Sequence, residues 1–335
     1  FKYANLNLEI MQEIKRLSVL DAAKKISVGQ VLPEIAFIEQ GQKGVEASHA
    51  AVQEKLMSEK DLIQNVQLVS FPDIYHKIVK VLNDPRSSAY HLSEVISKDT
   101  SLSAKILRLA NSAFYGLPSK VDTITRAITF IGISEISTLA MGILAIRFFK
   151  GVSPKVIDMK TFWMHSIACG TIASIIAHHK TGLSEERFFV AGLLHDIGRL
   201  IMLKVLPNNT TNAILMSRTK PAPLQEVENN IFGFDHARIA SLLLKKWEFP
   251  MALEHMVHHH HDPFRSPDPL ESSIIHFANI MAIAFHLGHS GEIFVPPIKE
   301  KAWETINISL SVLVPAMSQA ERLVGEITKE FLYEK

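Results

Sequence analysis

Phe188-Phe189-Val190-Ala191-Gly192-Leu193-Leu194-His195-Asp196-Ile197-Gly198-Arg199 is the stretch whose reading decides the fold. Taken as one helix it is apolar on every side, which predicts a segment buried in the middle of a helical lobe. His195 and Asp196 then occupy positions where polar groups are costly unless they are satisfied. A hydrogen-bonded core pair would read the same way, so the surrounding residues have to discriminate.

Those surroundings carry helical period almost throughout. Phe71, Ile74, Ile78, Val81 and Leu82 form one apolar stripe, and Leu102, Ile106 and Leu109 form another. Phe162, Cys169, Ile172 and Ile176 repeat the pattern, as do Met317, Ala320, Leu323, Val324, Ile327 and Phe331. No alternating strand pattern and no internal repeat stands out, so the expected class is all-α. Breaks fall at Gly41-Gln42-Lys43-Gly44, before a short helix around Ala47 to Ile63, and at Gly151-Val152-Ser153-Pro154. Others fall at Pro207-Asn208-Asn209, Pro263 to Pro269 and Gly288 to Pro297. They divide the chain into an N-terminal helical extension (1–65), a two-lobed unit (66–270, lobes about 66–150 and 151–270) and a C-terminal helical region (271–335).

Bulk properties narrow the function classes. Of 335 residues, 47% are hydrophobic and 21% charged, enough for a sizeable core, and length alone suggests about two globular units. A net charge of +1 offers nothing to nucleic acid or an anionic membrane. The longest apolar run, Ile136 to Ile146, is bracketed by Glu135 and Arg147 and is shorter than the roughly 20 residues of a membrane span. One cysteine, Cys169, cannot form an internal disulfide, and the N-terminus lacks a secretory pattern, so the expected location is cytoplasmic. Phe1 is not an initiator methionine, which leaves room for an upstream domain.

Histidines supply the discrimination. His165 shares a face with Phe162, Cys169, Ile172 and Ile176, and His236 opens a helix in line with Ala240, Leu243 and Trp247. In the run His258 to His261, helical phase from Leu253, Met256 and Val257 turns His260 and His261 inward. The same phase stacks His258 over Glu254 and His259 over His255 on the wetter side. Each alone would pass for a satisfied core histidine. Together they would cost roughly 1–3 kcal/mol per unsatisfied group, against a typical total stability of about 5–15 kcal/mol. A divalent metal held by neutral imidazoles and one carboxylate removes that cost, and such ligands suit iron, manganese, zinc or nickel, as one or two ions.

The order His165, Gly192-Leu193-Leu194-His195-Asp196-Ile197-Gly198, His236 and His260-His261 resembles that of the HD metal-dependent phosphohydrolases, including the HD-GYP cyclic di-GMP phosphodiesterases. The upstream lobe resembles the HDOD family in particular. Leu107 to Gly116 (LRLANSAFYG) is similar to its "LLRLANSAFYG" stretch, and Ala127 to Gly132 to its "AI..LG" stretch. Ile231-Phe232-Gly233-Phe234-Asp235-His236 and the Trp247-to-Pro250 turn continue the likeness over roughly residues 66 to 270. The resemblance implies a two-lobed helical fold with an HD-type lobe, and a metal held by His165, His195, Asp196, His236, His260 and His261. It also implies a signal-transduction module working through a protein partner.

Two departures weigh against turnover. Asn279 stands where HD hydrolases place a final aspartate, and Asp262-Pro263-Phe264-Arg265 replaces the HD-GYP pattern after the histidine pair, with Asp262 expected to cap that loop. The alternative function is a metal-dependent phosphohydrolase acting on a nucleotide or cyclic dinucleotide, with Asp196 in the catalytic centre. Arg199 reads as a helix-surface salt bridge or a phosphate contact, Lys105 and Arg108 as solvated charge, and Asn111 and Ser112 as a helix end before Gly116.

Overall fold

The computed structural model describes Leu62 and residues 73–149, 156–180, 185–219, 222–292 and 294–332. The expected breaks at 41–44 and 151–154, the short helix over 47–63 and Phe71 of the first stripe lie outside these residues. From residue 61 onward the chain forms one compact unit, and it is all-α, with no strand among the described residues.

The first lobe holds α1 (Asp73–Asn83), α2 (Ala89–Ser97), α3 (Thr100–Ala110), α4 (Ile124–Ile131) and α5 (Ile133–Phe148). Short polar residues start these helices by accepting otherwise unpaired backbone N–H groups. Asp99 accepts from the Leu102 N–H at 2.8 Å, and Thr123 accepts from that of Arg126 at 3.3 Å. Asn111 ends α3 and pins the next loop, donating to the Val121 carbonyl at 2.7 Å and accepting the Val121 N–H at 2.8 Å. Residues 136–146 of α5 are all buried, which accounts for a run that is apolar apart from Ser137 and Thr138. No single helix among the described residues is long and apolar enough to cross a membrane, and α4 and α5 meet at 119°.

The second lobe comprises α6 (Met159–His178), α7 (Glu185–Leu194), α8 (Ile197–Val205), α9 (Pro207–Thr219), α10 (Leu224–Phe232), α11 (His236–Lys246) and α12 (Met251–His258). A 3-10 turn at Pro263–Arg265 leads to α13 (Pro269–Ala284), α14 (Glu300–Ile306) and α15 (Leu310–Leu332). Helix α6 runs through the middle, packed by α7, α13 and α15, so it has no solvent face over most of its length. Helix α7 packs against both α6 and α5 and joins the lobes. Lys105 and Arg108 are not merely solvated: they tie α3 to the end of α15, through the Phe331 carbonyl at 2.9 Å and Glu330 at 2.7 Å.

At the α6–α7 crossing, a Cβ on Gly192 would overlap the backbone of Gly170. Only glycine allows this approach, which brings the segment before Gly170 close to the end of α7. His165 lies there on α6, and His195 follows α7 directly.

Candidate metal centre

The segment 188–199 is not the single helix its apolarity suggests. Helix α7 stops at Leu194, α8 starts at Ile197, and His195 and Asp196 occupy the break. Asp196 has φ −100° and ψ 2°, the bridge region common at active sites. Residues 197–203 of α8 are buried on every side, and Arg199, 1% exposed, meets the Asp196 carboxylate there. The surface reading of Arg199 is therefore corrected.

All six candidate ligands converge. His165, His195 and Asp196 form one group and His236, His260 and His261 a second, each with its ligand atoms within 4.8 Å of one another. Five are buried and His261 is half-buried. His165 Nε2 lies 3.6 Å and His195 Nε2 3.1 Å from Asp196 Oδ2, while His236 Nε2 lies 3.0 Å from Oδ1. His236 Nε2 is also 3.0 Å from His261 Nε2, which links the two groups.

Second contacts orient the rings. The Nδ1 atoms of His195 and His260 lie 2.7 Å from the carbonyls of Gly192 and Val257. These carbonyls can only accept, so each Nδ1 carries a proton and each Nε2 is the atom turned to the centre. Glu228 does the same for His236, receiving its Nδ1–H at 2.5 Å and its backbone N–H at 3.0 Å. His276 in turn donates Nδ1–H to the His260 carbonyl at 2.8 Å. Helix α12 ends at His258, so the inward direction of His260 and His261 comes from the turn after the helix, not from continued helical phase.

The donor set fits a divalent transition metal. Both ring nitrogens of His165 and the Nε2 atoms of His195 and His260 are buried without a hydrogen-bond partner. Three imidazoles left this way, beside a carboxylate, are what a metal would satisfy. Burial pushes His165 down to about 3, and burial together with neighbouring imidazoles holds His260 and His261 well below the usual range, so all three are neutral donors. Burial would lower His236 and His195 too, and the Arg199 guanidinium adds to this at His236. Glu228 and Asp196 outweigh it at His236, lifting it to about 9, and Asp196 lifts His195 well above its usual value. Burial would raise Asp196, but Arg199 and His195 hold it well below the carboxylate range.

Sequence reading missed three members of the centre. Arg199 Nη1 lies 2.8 Å from Asp196 Oδ2 and Nη2 3.1 Å from His236 Nε2. Ser290 bridges Asp196 and Arg199 through its hydroxyl. Glu228 completes the set, 3.7 Å from Arg199 Nε. Asp262 does not cap its 3-10 turn through its side chain, but pairs with Lys299 at 2.8 Å and Arg265 at 3.1 Å. Asn279 is buried with Oδ1 unpartnered.

The HDOD domain family model matches residues 68–263. An uncharacterized protein of Treponema pallidum (strain Nichols) is 23% identical over 216 residues, 62% of this chain and 40% of that protein. The chain thus spans well under two thirds of that relative. Among solved structures, an HDOD domain protein of unknown function from Geobacter sulfurreducens superposes with a TM-score of 0.67 at 22% identity, covering 81% of this chain and 97% of that one. A candidate phosphohydrolase from Shewanella amazonensis SB2B gives 0.63 at 23% identity, covering 81% and 96%. A candidate signal transduction protein from Marinobacter aquaeolei VT8 gives 0.62 at 18%, covering 89% and 66%. At these identities the likeness speaks for the fold.

Proposed function

The chain belongs to the HDOD domain family, and from that premise we propose that it is a cytoplasmic signal-transduction module that binds a divalent metal and acts on a protein partner. His165, His195 and Asp196 hold one ion, and His236, His260 and His261 are placed for a second. Iron, manganese, zinc and nickel all suit imidazole with a single carboxylate. When bound, the metal would neutralise Asp196 and satisfy the unpartnered imidazoles.

The observation that carries the non-catalytic reading is the burial of Asp196. It is 0% exposed, beneath Ser290 and Arg199. A phosphate ester must reach the reacting centre, and this carboxylate is enclosed by the protein's own side chains.

The half-buried His261 favours a second reading. It links the two groups and stands at their more open side. Entry there would let a nucleotide or cyclic dinucleotide meet metal-activated water, as in metal-assisted phosphodiester hydrolysis.

Elemental analysis, melting curves with and without chelator, and a phosphodiesterase assay with bis-p-nitrophenyl phosphate form the test. Stoichiometric metal, a chelator-lowered melting temperature and no turnover are expected, since a ligand of the folded state stabilises it. Recovery of one partner in a pull-down, retained in folded Asp196→Ala, supports the module. Turnover dependent on the same metal would replace it with the enzyme.

A further inference from the structure

Arg199 stands between the two groups of candidate ligands, donating to Asp196 Oδ2 and facing His236 Nε2, with Asp196 Oδ1 left to other partners. Its two Nη groups engage Asp196 Oδ2 and His236 Nε2, one from each ligand group. The guanidinium occupies the space between these two atoms that an ion shared by them would take. Resting on the metal-binding reading above, we propose that Arg199 is an internal cation competing with the metal, and that metal entry expels it and frees the strap over residues 286–292.

Charge and position support the exchange. The guanidinium is fully buried and faces Asp196, Glu228 and His236, so it supplies the positive charge that the two buried carboxylates require. A divalent ion beside Asp196 supplies that charge instead, and two cations sharing one carboxylate repel. Glu228, 3.7 Å from Nε, remains as a partner for the displaced side chain.

Fastenings of the strap to the rest of the lobe include three that bear on the centre. The His289 N–H donates to the Thr161 carbonyl at 3.1 Å, and Glu292 accepts the Leu224 N–H at 2.6 Å. Between them, the Ser290 hydroxyl bridges Asp196 and Arg199. Only this middle fastening involves Arg199, which reaches the Ser290 hydroxyl and, at 3.4 Å, its carbonyl, beside the bond from Ser290 to Asp196. Its loss leaves a loop held at both ends and slack in the middle, a change small in distance but local and readable.

The test is manganese and zinc titration of wild type, Arg199→Met and Arg199→Lys, with amide hydrogen exchange of residues 286–292. Methionine keeps bulk without charge and should tighten metal binding by about tenfold or more, a coupling of ordinary allosteric size. Lysine keeps the charge and should fall between. In wild type, metal should raise exchange across the strap, and this arm needs no variant to fold. Ser290→Ala should show the raised exchange without metal and no further rise with it. Equal affinities in wild type and Arg199→Met, or strap exchange indifferent to metal, would overturn the proposal while leaving the metal site standing. Absence of binding in all three proteins would remove both. Binding to Arg199→Met alone would support the competition in its strongest form.

Discussion

Gly198 and His236 meet backbone to backbone: a Cβ on Gly198 would overlap the carbonyl oxygen of His236. This contact sets the distance between α8 and α11, and so the reach of His236 to Asp196. Gly198→Ala should destabilise the protein by about 1–3 kcal/mol, the usual range for overpacking. It should also lower metal content by moving His236. Urea unfolding with elemental analysis checks both, and an unchanged midpoint would show that the helices part at little cost.

His260→Ala and His261→Ala should each reduce bound metal more than His258→Ala or His259→Ala. His260 and His261 turn toward His195 and His236, whereas His258 and His259 stack on one another. Metal per chain after gel filtration is the measurement. The reverse ordering would move the site away from the second ligand group.

Glu228→Gln should weaken metal binding by about 10–100-fold, the usual effect of altering a ligand's own hydrogen-bond partner. Glutamine can still accept the His236 Nδ1–H but brings no negative charge to an imidazole that Glu228 now makes more basic. Competition against a chelator of known affinity gives the number. No change would mean that Glu228 serves Arg199 alone.

Far from the centre, Asp99 caps α3 and pairs with Arg147 at 2.6 Å. Burial works to raise its pKa, but the Arg147 ion pair and the Leu102 N–H together hold it below 3.8. A carboxyl whose folded pKa is depressed adds stability above its unfolded value and loses it as pH falls through the folded one. Asp99→Ala should therefore cost about 1–2 kcal/mol at neutral pH, with a gap to wild type that narrows below about pH 4. Denaturant midpoints at pH 7 and pH 3 test the sign. A gap that widens in acid would contradict it.

Much of this was legible in the chain. Helical period gave the all-α class, and the histidines that converge on Asp196 were visible from apolar phase and motif order. The inward place of Arg199 is not legible because a lone arginine at the end of an apolar run reads as surface charge, whereas α8 is buried on every side and Asp196 supplies the buried partner. The direction of His260 and His261 was reached through helical phase, although the helix stops at His258 and the turn positions them. Glu228 and Ser290 carry no local signal. They lie 8 residues from His236 and 94 from Asp196, and only packing brings them near.

Helix α7 has one end at the centre and its flank against α5, where Val190 and Leu193 lie against the Cα of Gly142. Dense interiors compress little and so pass displacement onward. Mechanically, α7 is then a pushrod with no free play. A shift at its His195 end would press on α5, which packs against α1, α2, α3 and α4. Tyr90 and Phe130 stand exposed on α2 and α4, two of the helices that α5 touches.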